Sequence, residues 1–320
     1  MRNEIQIIPF REEFLGEAAA LFSANYRKQR QATPILPEGM EEPRGVTDRL
    51  RNLLHHTPGM VAVQNGRLVG YMGWYLIDHF RNMDRKGAYC PEWGHAVVEG
   101  AAGSIYQAIC REAAAQWRKD GCQAYAITLL ADDQPAERFW FWNGFGMIVV
   151  DAIRSITPVN IPNPSSLFIR TAQIDDAEVI AMLEAEHYRH YSEPPISMAP
   201  QPSEDAAAYR KFLSQPHNNV WLAWEGSKPA GYMRFESRTF GAADIVQSET
   251  TIAISAAYTR PEYRGQKAAP AMLEAGLRYY AEKGYERCSV DFESINPEAS
   301  YFWMKYFEPV CISLMRLAEV

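Results

Sequence analysis

The chain has 320 residues, 47% of them hydrophobic and 22% charged, and it carries a formal net charge of -7 at pH 7. By its length we expect two domains, each large enough for its own core. The acidic balance disfavours nonspecific nucleic-acid binding, which needs an excess of basic side chains. It mildly favours a cationic substrate, although ordinary solubilising charge is the simpler explanation of the same value.

The cysteines and the hydropathy narrow the class of protein further. The five cysteines lack C-x-x-C spacing, so neither a disulfide framework nor a zinc site is predicted. No run of about 18 apolar residues is present, and the N-terminal residues lack a signal-type apolar core. We therefore expect a cytoplasmic protein with no membrane, nucleic-acid or metal partner.

The first half begins with a predicted short strand at residues 5–11 and a helix whose apolar face includes Phe14 and Phe22. Further along, residues 97–106 combine glycines with other small residues before a second helix. This segment has no arginine, and Glu99 places a negative charge at the predicted helix start. It is poorly suited to bind an anion, so we interpret the first half as a structural partner that shapes a substrate cleft.

A proline-rich segment joins two halves that repeat one plan. Residues 158–166 contain three prolines and no periodicity, which is typical of a linker. Sequence pairs recur on either side in the same order at a nearly constant offset: Gly70-Tyr71-Met72 with Gly231-Tyr232-Met233, Phe139-Trp140 with Phe302-Trp303, and Arg154 with Arg316. The recurrence indicates a duplicated domain, with one copy at residues 1–157 and the other at 167–320.

The second half contains a strand, a basic loop and a helix in close succession. Ile252 and Ile254 alternate along a predicted strand that ends at Arg260-Pro261, because proline cannot donate to a sheet ladder. The loop at 262–269 opens a helix whose predicted apolar face comprises Met272, Leu273, Gly276, Leu277 and Tyr280. Small residues at this helix start, together with Arg264, favour a bound phosphate group.

Three further signals follow that helix. Gly284 is predicted to end it, since glycine readily takes the left-handed conformation found after a helix. Cys288, Val290 and Phe292 alternate as another strand. Asn296-Pro297 then predicts the N-cap and the first residue of a last helix.

The order of these elements resembles the GNAT superfamily of acetyl-CoA-dependent acyltransferases. The residues that carry the resemblance are the loop at 259–269 and the helix start at 296–303. With the repeat, the resemblance covers nearly the whole chain and implies an α/β (α+β) fold of two tandem GNAT domains. Each domain is then a mixed, mainly antiparallel sheet flanked by helices.

The resemblance also implies a cofactor, acetyl-CoA, and a set of residues that bind it in the second half. The backbone after the first strand would bind the pantetheine arm, the Arg-Gly loop the pyrophosphate, and the asparagine of the last helix would lie beside the cofactor. The implied residues are Ala257, Tyr258, Thr259, Arg264, Gly265, Gln266, Lys267, Ala268, Ala269, Asn296 and Trp303. The chain departs from the family pattern twice. Lys267 replaces a central loop glycine, and Trp303 replaces the tyrosine that acts as general acid. The indole of Trp303 does not titrate, so it cannot take that role.

Transfer of an acetyl group to an amine needs a base. An alkylammonium has a pKa of about 10.4 and must lose a proton before its nitrogen attacks the thioester. We predict Glu249 as this base, because it lies two residues before Thr251 on the strand that leads to the loop at 262–269. The alternative is that Glu249 is a solvated hairpin residue with no catalytic role. Tyr301 and Tyr306 flank Trp303 without occupying the family's position for the acid, and Tyr301 is the candidate acid for the leaving thiolate. A backbone N–H near Ala257 or Thr259 would stabilise the oxyanion.

Three functions fit these observations. The first is an N-acetyltransferase that moves the acetyl group to a small amine by direct attack, as a monomer with internal duplication or as a homodimer. The second is a tandem acyl- or aminoacyltransferase with another acyl donor, although the acidic charge argues against tRNA. The third is a non-catalytic CoA-binding module. His187 and His190 share a predicted helix, but the segment supplies no third ligand for a metal.

Overall fold

The computed structural model describes residues 4–161, 165–237, 239 and 241–319, so residues 162–164 of the predicted linker lie outside the described residues. The chain forms two compact units. Unit 1 comprises Met1–Asp151, Ala243–Ile245 and Pro309–Val320, and unit 2 comprises Ala152–Ala242 and Val246–Glu308. The bounds of the duplicated segments, 1–157 and 167–320, remain a prediction. They differ from the bounds of the two units, because most of the C-terminal strand belongs to unit 1.

The described residues of unit 1 form four α-helices: α1 (Leu15–Ala32), α2 (Pro43–His56), α3 (Ala102–Lys119) and α4 (Gln134–Trp142). Its strands are β1 (Gln6–Pro9), β2 (Met60–Gln64), β3 (Arg67–Met72), β4 (Tyr75–Ile77), β5 (Gly87–Cys90), β6 (His95–Val97), β7 (Ala124–Leu130) and the start of β8 (Gly146–Ser155). Strands β1, β2, β3 and β6 form an antiparallel sheet in that order. Strands β4 and β5 pair antiparallel, and β5 pairs with β7 in parallel.

Unit 2 contains α5 (Ala177–Ser192), α6 (Ala206–Leu213), α7 (Ala268–Glu282) and α8 (Pro297–Tyr306). Its strands are β9 (Phe168–Thr171), β10 (Asn219–Glu225), β11 (Lys228–Glu236), β12 (Thr251–Thr259) and β13 (Arg287–Glu293). Strands β9, β10, β11 and β12 pair antiparallel in that order, and β12 pairs with β13 in parallel. The last strand of the chain, β14 (Glu308–Leu317), pairs antiparallel with β7.

The sheet of unit 2 is covered on both faces, and alternate residues of β11 show which helices lie on each. Phe235 points toward α7, where its ring lies 5.4 Å from the ring of Tyr280. Arg234 points the other way, and its guanidinium lies 4.2 Å from the ring centre of Phe212 on α6. Since successive side chains of a strand point to opposite faces, α7 lies on one face and α6 on the other.

The predicted local signals of the second half are confirmed. All the apolar residues predicted to face the core from α7 are buried. Gly284 has a φ of +85°, in the left-handed region. Asn296 caps α8 by accepting a hydrogen bond of 3.2 Å from the amide of Ala299, with Pro297 at the first helical position. Within the described residues, none of the helices is both long enough and apolar enough to span a membrane.

Gly231 of β11 lies against the end of β12, and a side chain there would meet backbone. A Cβ atom at this position would lie 2.4 Å from the carbonyl oxygen of Tyr258. We therefore expect Gly231→Ala to lower the free energy of unfolding by about 1–3 kcal/mol, because β12 must move. Urea denaturation measures the change, with Gly16→Ala in the open face of α1 as the control. Equal stability of Gly231→Ala and wild type would contradict this packing.

Candidate active site

A cavity opens where β12 and β13 separate. The two strands pair only from Thr251 with Arg287 to Ile254 with Val290, whereas β12 continues along β11 to Thr259. Residues 257–259, beyond the paired part, line a cavity of about 530 Å³ together with the first residues of α7 and α8. This volume lies within the range of about 300–1,000 Å³ that is usual for small-molecule sites.

The start of α7 forms one wall of the cavity. Gly265 and Lys267 precede the helix with φ angles of +77° and +62°, and Ala268 and Ala269 begin it. The first amides of a helix have no partner inside the helix, and the macrodipole adds a partial positive charge at this end. Small side chains leave these amides open to an anion, so the helix start can bind a phosphate.

Arg264 lies between the starts of α7 and α8. Its Nε donates a hydrogen bond of 3.2 Å to the carbonyl of Thr259, which fixes the base of the guanidinium at the end of β12. Its Nη1 lies 2.7 Å from Oε1 of Glu298, on the first turn of α8. The other carboxylate oxygen of Glu298 lies 3.8 Å from Nε2 of His190. A cation therefore stands at the anion-binding end of the cavity, already paired with a carboxylate.

Residues of α8 form the opposite wall. Asn296 is only 5% exposed, and its side-chain oxygen is used by the helix cap. Trp303 is also buried, and its ring packs against Phe302 and Phe307 at centroid distances of 4.6 and 5.4 Å. Tyr301 lies at the rim with 83% of its surface exposed. Aromatic rings therefore form much of this wall, beside the charged side chains of Glu298 and Lys305.

Aromatic rings of α5 and β12 form the inner end of the cavity. His187 is buried, its ring stacks on that of Tyr258 at 5.5 Å, and its Nδ1 lies 3.1 Å from the hydroxyl of Tyr232. Burial, followed by the charge of His190, lowers the pKa of His187 to about 3, so the imidazole is neutral at physiological pH. Among the described residues, no group of three or more His, Cys, Asp or Glu side chains is placed to hold a metal.

Comparison with known proteins agrees with this geometry. The family model described as "Acetyltransferase (GNAT) family" matches residues 175–307, which include the strands, loop and helices that surround the cavity. Residues 175–307 form a GNAT domain. No relative among curated proteins matches the sequence of the chain.

Solved structures extend the likeness beyond the GNAT domain to the whole chain. A GCN5-related N-acetyltransferase from Sphaerobacter thermophilus has a TM-score of 0.60 at 12% identity, over 97% of this chain and 95% of that one. A tandem GNAT protein from the clavulanic acid biosynthesis pathway has a TM-score of 0.53 at 16% identity, over 99% of each chain. At these identities the likeness concerns the fold alone. It confirms the predicted fold of two tandem GNAT domains.

A third structure is part of a longer protein. It is described as a GCN5-related glucosamine N-acetyltransferase region in a fungal multi-domain GH3 beta-N-acetylglucosaminidase. The TM-score is 0.59 at 11% identity, and the match covers 98% of this chain. The chain spans only 38% of the length of that protein.

The GNAT domain brings together nearly all the residues predicted to bind the cofactor. Ten of the predicted residues line the cavity: Ala257, Tyr258, Thr259, Arg264, Gly265, Lys267, Ala268, Ala269, Asn296 and Trp303. Gln266 is not among the lining residues, because its amide donates instead to the carbonyl of Glu262, at 3.1 Å. Tyr301, the predicted acid, lines the cavity, as does Tyr306.

Glu249 is not brought to the cavity of the GNAT domain. It is exposed, in the turn that precedes β12, whereas the cavity lies at the other end of that strand. A strand rises by about 3.3 Å per residue, so Glu249 and Tyr258 are separated by most of the length of β12. Glu249 lies in a turn, so the period of the strand does not place its side chain, and the chain reaches the cavity only several residues later.

A charged cluster on β11 and β13 was not found from the sequence. Arg234 lies 3.4 Å from Glu236 and 3.9 Å from Glu184, on the face of the sheet that carries α5 and α6. Asp291 of β13 is partly buried, and burial, followed by the charge of Glu293, raises its pKa to about 6. The available signal was the alternation of Ser289, Asp291 and Glu293 opposite the apolar residues of β13.

Asp291 is connected to the cavity through aromatic residues of α5. The charges of Glu293 and Asp291 contribute to the raised pKa of Tyr191, after the larger effect of burial. The ring of Tyr191 lies 4.5 Å from that of His187, which lines the cavity. The charge of Asp291 therefore acts on a residue whose ring packs against the lining of the cavity.

Unit 1 has a smaller cavity of about 380 Å³ at the start of α3, lined in part by residues 97–100. Glu99 and Lys28 form an ion pair of 2.7 Å there, and both side chains are largely exposed. Asp133 caps α4 by accepting a hydrogen bond from the amide of Ala136, as Asn296 caps α8. Among the described residues that line this cavity, none is an arginine.

Proposed function

We propose that the chain is an acetyltransferase in which unit 2 binds acetyl-CoA and transfers its acetyl group to a small cationic amine. The observation that carries the proposal is the convergence on one cavity of the α7 start, Arg264 and the end of β12 that extends beyond its pairing with β13. The GNAT domain at residues 175–307 supports the reaction class. The bound cofactor supplies an activated acyl group as a thioester.

The residues present fit that cofactor. Arg264 and the open amides of α7 suit the pyrophosphate, and Ala268 and Ala269 leave room for it. Residues 257–259 are extended backbone beyond the last pairing with β13, so the polar groups that neither β11 nor Arg264 uses are available to the amides of the pantetheine arm. The aromatic rings in the wall of α8 suit the thioester end.

We assign the removal of the amine proton to Asp291. An ammonium group is attracted to the acidic face formed by Asp291, Glu293 and Glu236, whereas the cofactor reaches the site from the starts of α7 and α8. Because Asp291 does not line the cavity, the proton would pass to it through an intervening water; the amine nitrogen then forms the new C–N bond and the C–S bond breaks. The thiolate leaves as CoA. Tyr301 remains the proposed source of its proton, and a backbone N–H of β12 remains the proposed oxyanion partner.

An amine panel tests the reaction. Purified full-length protein is incubated with acetyl-CoA and single amines of different length and charge, and free CoA is measured. We expect release of CoA with at least one cationic amine and little release with neutral alcohols of the same shape. Binding of CoA without turnover on any amine would instead support a non-catalytic CoA-binding module.

We expect one acetyl-CoA per chain. Of the two cavities at the starts of α7 and α3, that of unit 2 combines an arginine with small residues, whereas that of unit 1 presents Glu99 at the equivalent place. Titration calorimetry measures the number of sites directly. Two sites per chain would show that the cavity of unit 1 also accepts the cofactor.

A further inference from the structure

Glu298 forms an ion pair with Arg264, the arginine on which the proposed cofactor site depends. Its Oε1 lies 2.7 Å from Nη1 of Arg264, and its side chain is half exposed. Both residues line the same cavity. A carboxylate and a phosphate use the same donors of a guanidinium, so a ligand phosphate competes with Glu298 for the N–H of Nη1 that Glu298 holds.

The surroundings of Glu298 allow it to give up this N–H. It is a first-turn residue of α8, where a negative charge is favoured by the helix macrodipole whether or not it contacts Arg264. His190 Nε2, 3.8 Å from Oε2, remains as a second partner after Arg264 is released. Arg264 is held at its base by Thr259, so the guanidinium stays in the cavity while its partner changes.

We propose that Glu298 competes with the phosphates of the cofactor for Arg264 and thereby sets the affinity of the cavity for CoA. The inference rests on the proposed function, since it takes a CoA thioester as the ligand. In wild type, binding exchanges one charge-assisted pair for another, so the net electrostatic gain is small. A ligand with phosphates alone gains little, whereas one that also contacts residues 257–259 through a pantetheine arm binds firmly.

The test is a set of calorimetric titrations of CoA into full-length variants. Glu298→Gln keeps the size of the side chain and removes its charge. We expect it to tighten CoA binding about three- to tenfold, because binding no longer breaks an exposed ion pair and the phosphates no longer meet a nearby negative charge. Its dissociation constant should also rise more steeply with salt, because Arg264 then has no compensating carboxylate. Glu282→Gln, at the exposed far end of α7, makes the same change in net charge and should leave the affinity unchanged.

A double-mutant cycle separates competition from general repulsion. In the Arg264→Gln background, Glu298→Gln should tighten CoA binding by a clearly smaller factor, because no ion pair remains to be released. Equal factors in both backgrounds, or weaker binding of CoA by Glu298→Gln, would overturn the inference. If wild type binds CoA and these factors are absent, only this inference fails. If wild type binds no CoA at all, the proposed function fails with it.

Discussion

Asp291→Asn is expected to lower kcat for acetyl transfer by about 100-fold or more, the usual contribution of a general base. An amide is nearly isosteric with the carboxylate but cannot accept the proton of the ammonium group. The dissociation constant of acetyl-CoA should stay unchanged, because Asp291 does not line the cavity. Steady-state kinetics together with a binding titration check both halves of this result.

The pH dependence gives a second readout of the same residue. The carboxylate must be ionised to act as a base, and the pKa of Asp291 is raised to about 6 by burial and by Glu293. The rate should therefore rise with pH through this value and then level, and Asp291→Asn should lose this limb. Glu293→Gln is the matched control: it should remain active with the limb moved to lower pH, because a neighbouring negative charge has been removed. A wild-type rate in Asp291→Asn would remove Asp291 from the mechanism.

Arg264→Glu is expected to weaken acetyl-CoA binding by more than the roughly 1.5–3 kcal/mol of one charge-assisted hydrogen bond. The substitution removes the donor fork and adds a negative charge beside Glu298, so the phosphates meet repulsion as well. Arg278→Glu, on the exposed side of α7, makes the same change in net charge away from the cavity. Equal affinities of the two variants would mean that Arg264 does not bind the phosphates.

Patterns within a single turn or helix predict much of the structure of the second half. The buried face of α7, the cap at Asn296 and the left-handed Gly284 each depend on residues within one turn or one helix, and all three are confirmed. The cavity lining follows from the same segment, because the loop and the two helix starts are close in sequence.

Features that depend on distant pairing could not be predicted in this way. The period of the strand predicts Glu249 as the base. Which residues reach the cavity depends instead on how far β12 runs before it separates from β13. Asp291 stands out only when β11, β13 and α5 are brought together, since its raised pKa depends on burial and on Glu293 and Glu236. The pairing of β14 with β7 likewise joins residues far apart in the chain.

Hydrogen exchange with and without acetyl-CoA tests the central claim most directly, because it reports where on the chain the ligand binds. We expect slower exchange of the backbone amides at 264–269, where the loop leads into α7, and no change at 99–106 in unit 1. Protection confined to 99–106, or none anywhere at saturating acetyl-CoA, would contradict the assignment of the cofactor to unit 2.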